Sequence, residues 1–178
     1  FKYAVVVESW PGIRLQTAVN VETGTMVVQK KGNLFSSSAP VLCHQVNCMG
    51  SMGAGIAKQV KRLYPGVYEE YRSLCRAHRG RELMGFAQIL PADGCEGRYI
   101  ANCFGQYKTS LIKQSTEYDA LRSSLESVRA WAAEKGIHAA ALPYKIGCGY
   151  GGGDWETVFG IISDVFSGPD ITVEIWEL

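Results

Sequence analysis

Residues 41–57, VLCHQVNCMGSMGAGIA, constrain this chain more than any other stretch, because an uncharged apolar run breaks into glycines and re-emerges with helical spacing. The first six of these residues suit a strand buried on both faces. Beyond them Ile56, Val60 and Leu63 recur at i, i+4 and i+7, with Lys58, Lys61 and Arg62 on the other side, which predicts an amphipathic helix. Gly50, Gly53 and Gly55 lie between. A glycine loop feeding a helix lets backbone N–H groups approach a ligand and aims the positive end of the helix dipole at it, which suits a phosphate. The stretch is neither Gly-x-Gly-x-x-Gly nor a Walker loop, so the common nucleotide fingerprints, and with them a flavin or nicotinamide redox role, find no support. A turn that merely lets strand and helix pack closely is the competing reading.

The rest of the chain can be set around that unit. Residues 3–8, 14–21 and 25–30 are β-rich runs punctuated by Pro11-Gly12 and Thr23-Gly24, which predicts antiparallel strands at the start of the fold. Pro65-Gly66 ends the first helix, and Val67, Tyr71, Leu74, Cys75 and His78 mark the inner face of a second. Two strands follow, 86–90 and 98–104, around the turn at Ala92-Asp93-Gly94. Thr116-x-x-Asp119 matches a capping box ahead of a long helix whose core stripe is Tyr118, Leu121, Leu125, Val128 and Ala132, and Gly136 ends it. A short strand, 139–142, then runs into a second glycine loop, PYKIGCGYGGGDW, and a helix with Trp155, Val158, Ile162 and Val165 on one face. Asp154 is placed to cap that helix. Strands and helices in this order predict an α/β fold with a mixed central sheet covered by helices on both faces. Ligands in such sheets sit where loops leave the strand ends. Two glycine loops meeting at one crevice can hold two phosphates, which one loop cannot.

With 178 residues, 47% hydrophobic and 20% charged, the chain is long enough for one core and too short for two ordinary domains. A formal charge of +1 supplies no overall field for polyanions, so non-specific nucleic-acid binding is not expected. No apolar run is long enough to cross a bilayer, so no membrane association is expected, and a cytoplasmic monomer is the expectation. Cys43, Cys48, Cys75, Cys95, Cys103 and Cys148 form no C-x-x-C pair, and His44, His78 and His138 are scattered, so reduced thiols and no structural metal or cofactor are expected.

Taken together, KGNLF (31–35), HQVNCMGSMGAGIA (44–57) and IGCGYGGGDW (146–155) resemble a macrodomain, the three-layer αβα module that binds ADP-ribose. The resemblance covers about 26–178, leaving 1–25 as an extension of extra N-terminal strands, and is strongest to the branch of terminal ADP-ribose protein glycohydrolases and ADP-ribose-1″-phosphate phosphatases. It implies that Asn33 and Leu34 hold the adenine. It places the distal ribose and a phosphate on the first loop, through Asn47, Gly50, Ser51, Met52, Gly53, Ala54, Gly55 and Ile56. The diphosphate falls to Ile146, Gly147, Cys148, Gly149, Tyr150 and Gly151, and residues 102–106, including Gln106, line the neighbouring wall.

The chain departs from that branch at three positions. Asn33 stands where most macrodomains have Asp, which removes a charge-assisted bond to the adenine amino group. Gln106 stands where the glycohydrolases have a lysine nucleophile, with Lys108 nearby, and Gly151 where they have its partner Asp. The resemblance therefore implies an ADP-ribose-binding hydrolase that uses water as nucleophile on an ADP-ribose-1″-phosphate or an ADP-ribosyl ester of a macromolecule. His44 or Asp154 would be the base and Asn47 would orient the distal ribose or the water. The alternative is a non-catalytic reader of ADP-ribose. His44 has a plain reading as a strand histidine, as Asp154 has as a helix cap and Cys148 as a small loop residue.

Overall fold

The protein is described by a computed structural model over residues 3–10, 13–20 and 23–178, with side chains at Val19 and from Thr23 onward. The turn expected at Pro11-Gly12 lies outside the described residues. The chain runs β1 (Tyr3–Trp10), β2 (Ile13–Asn20), β3 (Met26–Lys31), a short 3-10 turn (Leu34–Ser36), β4 (Val41–Val46), α1 (Gly55–Leu63), α2 (Pro65–Ala77), β5 (Ala87–Pro91) and β6 (Tyr99–Phe104), followed by α3 (Tyr118–Lys135), β7 (Ala139–Pro143), α4 (Trp155–Val165) and β8 (Thr172–Glu177).

These strands form one eight-stranded sheet in the order β1-β2-β3-β8-β7-β4-β6-β5. Strands β3, β8, β7, β4 and β6 run parallel to their neighbours, and antiparallel pairs continue the sheet at both ends, β5 beside β6 and the β1-β2 hairpin beside β3. The C-terminal ends of the five parallel strands therefore share one edge of the sheet. Because β4 lies between β6 and β7, the segments leaving these three strands are neighbours there, although the strands end at residues 46, 104 and 143 of the chain.

Side chains alternate across the sheet and feed two cores. On one side Val41, Cys43, Ala101, Cys103, Ala140 and Leu142 meet Leu121, Leu125, Val128 and Ala132 of α3 and Val158, Ile161 and Ile162 of α4. On the other side Leu42, Val46, Ile100 and Phe104 meet Val60 of α1 and Val67, Tyr71 and Cys75 of α2. The fold is thus a three-layer α/β sandwich with a mixed sheet. The stripe expected on α1 is corrected at one position: Leu63 is 42% exposed and Tyr64, one residue on, is buried in its place. Pro65 opens α2 directly after Tyr64, so the chain turns before Leu63 can reach the core. His78, expected on the inner face of α2, is exposed and its Nδ1 lies 2.9 Å from the Leu74 carbonyl.

Gly136 closes α3 in the left-handed conformation (φ 66°), where its N–H reaches the carbonyls of Ala132 and Ala133. The other end of that helix differs from the capping box read at Thr116-x-x-Asp119. Its N-cap is Glu117, with no side-chain cap bond, because the Thr116 hydroxyl is engaged elsewhere. Its partners are in the second glycine loop. Among the described residues no helix is long and apolar enough to cross a membrane, and no group of three His, Cys, Asp or Glu side chains is placed to hold a metal ion.

Candidate functional site

At the shared strand edge, the loop after β4 and the loop after β7 face each other across a cavity of about 490 Å³, within the range of sites that enclose a nucleotide-sized ligand. The first loop and the start of α1 contribute Asn47, Ser51, Gly53, Ala54, Gly55, Ile56 and Ala57. The second contributes Pro143, Tyr144, Lys145, Ile146, Gly147, Gly149, Tyr150 and Gly151. The floor is His44, Gln45 and Val46, and Gln106 and Thr109 close the side toward β6.

Asn47 shapes the first loop. Its Nδ2 donates to the Ser51 carbonyl at 2.9 Å, and its Oδ1 accepts from the Met49 N–H at 2.9 Å. The fully buried Tyr71 hydroxyl lies 2.8 Å from the Asn47 carbonyl and 2.9 Å from Oδ1. Met52, 2% exposed, anchors the loop in the core below rather than lining the cavity. The loop ends at Ala54, the N-cap of α1, which supplies no side-chain cap, and the first turn of α1 carries no carboxylate. The first N–H groups of α1 are thus left without a protein side-chain acceptor, on residues that line the cavity.

The second loop is held from below by a network of uncharged side chains. The Thr116 hydroxyl donates to the Gly147 carbonyl at 2.6 Å and accepts from Gln45 Nε2 at 2.8 Å. Gln45 Nε2 also donates to Gln106 Oε1 at 2.7 Å. Gly153 N–H donates to the same Gly147 carbonyl at 2.9 Å, and Ser115 and Thr116 N–H groups both reach the Gly151 carbonyl. This network leaves no room at Gly151: a Cβ there would overlap the Thr116 hydroxyl and lie 2.6 Å from the Gly147 carbonyl oxygen. Lys145 enters the loop at φ 59°, the only described non-glycine residue with positive φ, a conformation that costs on the order of 1–3 kcal/mol and clusters at ligand sites. Replacing Thr116 by valine keeps the volume and removes both hydrogen bonds. It is expected to lower stability by about 1–3 kcal/mol and to weaken ligand binding by loosening the loop, which urea unfolding and calorimetry will read. An unchanged midpoint together with unchanged affinity would show that the network does not hold the loop.

The ionisable candidates lie in different settings. His44 is 2% exposed and its Nε2 is 2.6 Å from Asn102 Oδ1, while Asn102 Nδ2 donates to Gln88 Oε1 at 3.1 Å. Asn102 is thereby turned with its oxygen toward the imidazole, which places the histidine proton on Nε2 and a lone pair on Nδ1. Nδ1 has no hydrogen-bond partner. Burial lowers the His44 pKa to about 4, only partly offset by the bond to Asn102, so the ring is neutral at pH 7. Asp154 is exposed, does not line the cavity, and accepts from the Thr157 N–H at 3.0 Å and the Thr157 hydroxyl at 2.9 Å. Those bonds hold its carboxyl below the usual range, as an N-cap of α4.

Other residues read from the sequence fall outside the cavity lining. Asn33 is exposed and caps the 3-10 turn by accepting from the Phe35 N–H, and Leu34 is in the core beside it. Gly50 packs against Arg72 and Cys75 on the outer side of the first loop, Cys148 packs on the α3-α4 core, and Lys108 is exposed away from the cavity. Gln45, Thr109, Tyr144 and Lys145 line the cavity without having been singled out. A glutamine inside an otherwise apolar strand was the available signal for Gln45. Nothing local marks Lys145.

Fold and cavity together define a nucleotide-binding αβα protein of the macrodomain type, and comparison with known proteins agrees. The Macro domain family model matches residues 43–162. The chain is 30% identical over 158 residues to the ADP-ribose glycohydrolase OARD1 of Bos taurus, covering 87% of this chain and 93% of that protein. It is 31% identical over 153 residues to an ADP-ribose 1″-phosphate phosphatase of Meyerozyma guilliermondii, covering 71% and 86%. The solved macrodomain of Mycobacterium tuberculosis DarG superposes with a TM-score of 0.74 at 27% identity, over 87% of this chain and 99% of that one. The chain belongs to the Macro domain family.

Proposed function

We propose that the protein binds ADP-ribose in this cavity and hydrolyses an ADP-ribose derivative, either the 1″-phosphate or an ADP-ribosyl ester on a macromolecule. The observation that carries the reading is the pair of glycine loops leaving adjacent parallel strands around one cavity, with the uncapped N-terminus of α1 in its wall. A diphosphate sits between the loops, and the distal ribose lies toward Asn47 and Gln106. The relatives named as an ADP-ribose glycohydrolase and an ADP-ribose 1″-phosphate phosphatase support both the ligand and the hydrolytic chemistry. Residues 26–178 form the ligand-binding module, and within the extension at 1–25 the described strands β1 and β2 lengthen its sheet. The six free cysteines support a reducing, cytoplasmic setting.

Water is the nucleophile in this reading, because the Gln106 amide nitrogen is not nucleophilic and its oxygen is held by Gln45. Of the two groups able to take the proton, His44 is in the cavity lining and its buried Nδ1 has no hydrogen-bond partner, whereas Asp154 does not line the cavity. His44 is therefore assigned as the base. Asn47 orients the distal ribose through the loop it braces.

Calorimetry tests the ligand: ADP-ribose is expected to bind more tightly than AMP, and equal affinities would show that only one loop is engaged. Turnover of ADP-ribose-1″-phosphate and of an ADP-ribosylated protein tests the chemistry. His44→Ala is expected to reduce the rate by roughly 10² to 10⁴ with ADP-ribose affinity nearly intact, and Asp154→Ala to leave the rate close to that of the wild type. Tight ADP-ribose binding with no turnover of either substrate would overturn the hydrolase and leave the reader.

A further inference from the structure

Residues 107–115 lie between Gln106 and Thr116, which pair with each other as an isolated antiparallel bridge. A short segment whose ends are side by side is an Ω-type loop, a class often used at ligand sites. Its feet are tied down. On one side the Tyr107 carbonyl accepts from the Cys48 N–H at 2.9 Å, and on the other the Ser115 and Thr116 N–H groups share the Gly151 carbonyl. The Arg81 guanidinium clamps both feet, pairing with Glu117 and lying 5.7 Å from the centre of the Tyr107 ring. The tip is held differently. Among the described residues, the hydrogen bonds of 110–113 stay within the loop: the Ile112 and Lys113 N–H groups donate to the Ser110 hydroxyl, and the Lys113 carbonyl accepts from the Ser115 hydroxyl.

That tip carries Leu111, 86% exposed, and Ile112, 93% exposed, the two most exposed large apolar side chains among the described residues. Both border an open cavity of about 560 Å³ whose other wall is Gly149, Tyr150 and Gly152 of the second glycine loop. Gly149 and Tyr150 also line the main cavity, so the two hollows meet there. The Tyr150 side chain is itself exposed, and apolar surfaces left in water on two sides of a gap gain by meeting across it. Thr109, between foot and tip, lines the main cavity. Its hydroxyl is 3.5 Å from Asn47 Nδ2 and 3.4 Å from Gln106 Nε2, both beyond the usual length of such bonds. Contacts this long leave the hydroxyl open to a better partner.

We propose that residues 107–115 are a lid, closed by the ligand through Thr109. When ADP-ribose fills the main cavity, a hydroxyl of the distal ribose becomes the partner of the Thr109 side chain, the loop swings on its pinned feet, and Leu111 and Ile112 close against Tyr150. The inference rests on the cleft binding ADP-ribose, as proposed above. Thr109 lies in the cleft wall beside Asn47 and Gln106, which ties the tip to the occupancy of the cleft. Closure shields the ligand from bulk water and slows its escape.

Trypsin reads the loop, since Lys108 and Lys113 are both exposed within it. With saturating ADP-ribose, cleavage after Lys113, followed by mass spectrometry, is expected to slow at least about fivefold, because proteolysis tracks the population of the open form. Leu111→Ser/Ile112→Ser removes the apolar closure and keeps the cleft. This variant should unfold at the wild-type midpoint, both side chains being exposed. It is expected to release etheno-ADP-ribose about tenfold faster in stopped flow, with association little changed, and to show little protection after Lys113 at saturating ligand. Thr109→Val should lose the protection and Thr109→Ser should retain it. Calorimetry with ADP-ribose on each protein keeps the lid and the ligand reading apart. Binding by the wild type without slower cleavage would overturn the lid and leave the ligand reading standing. Equal protection in the wild type and the double serine variant would show that the ligand shields the bond directly, and would also overturn the lid. Full protection in Thr109→Val would overturn the part given to its hydroxyl. A wild type that does not bind ADP-ribose would overturn the ligand reading and the lid with it.

Discussion

Replacing Gly149 by valine is expected to abolish detectable ADP-ribose binding, a loss of at least about 100-fold, in a protein that unfolds at the wild-type temperature. A Cβ at Gly149 meets no heavy atom within 4 Å, and its backbone is not in the left-handed region, so the folded chain accepts the side chain without strain. The space it would fill belongs to the cavity wall where the second loop presents its backbone. Each lost charge-assisted bond to a phosphate is worth about 1.5–3 kcal/mol, so displacing the diphosphate from this loop accounts for two decades or more. Gly151→Val, two residues on, should behave in the opposite way. Its Cβ would overlap the Thr116 hydroxyl and crowd the Gly147 carbonyl, so the loop must break, at a cost of several kcal/mol. Thermal unfolding and calorimetry on the two variants separate a blocked site from a broken one. Wild-type affinity in Gly149→Val would show that this loop does not contact the ligand.

Stability should fall steeply between pH 6.5 and about 4, with His44 responsible for on the order of 3 kcal/mol of the fall. The sign follows from the direction of the shift. Buried in the folded protein, the ring stays neutral until pH falls to about 4. In the unfolded chain it takes up a proton near its ordinary value of 6.5. Through that window the unfolded state binds the extra proton, so its contribution to stability is complete above pH 6.5 and is lost as pH falls. His44→Gln offers an amide that can still donate to Asn102 Oδ1 but cannot titrate. Urea unfolding at pH 7, 6, 5 and 4.5 should show the wild type losing about 1.4 kcal/mol per pH unit more than the variant below pH 6.5. Parallel curves for the two proteins would show that His44 is not buried as a neutral ring.

The three-layer fold and the position of the cleft were legible because they follow from short-range pattern. The apolar run at 41–46 becomes β4, the glycines after it break the strand, and the spacing of Ile56 and Val60 starts a helix that must bury one face. Gly136 ends α3 because a left-handed terminal residue favours glycine whatever surrounds it. The same local reasoning failed at Thr116. Its sequence offered a capping box, but the hydroxyl has its strongest acceptor in the Gly147 carbonyl, 31 residues away. Asp154 met the opposite outcome, since the local cap reading describes its contacts fully.

What the sequence determined by itself is the set of elements, the two glycine loops and the family to which the chain belongs, because periodicity, glycine placement and motif order are properties of neighbouring residues. What only the tertiary structure decided is which strands are adjacent, and everything that depends on adjacency. The placement of β4 between β6 and β7 brings Gln45, Gln106 and Thr116 into one network under the second loop. It also turns Asn102 toward His44 from the paired strand, where the two residues are in register. Packing α1 on α2 likewise brings the Lys61 ammonium of one helix to 4.4 Å from the centre of the Tyr68 ring of the other. Hydrogen bonds and fields act over a few ångströms of space regardless of separation along the chain, so these properties appear only once the sheet order is set.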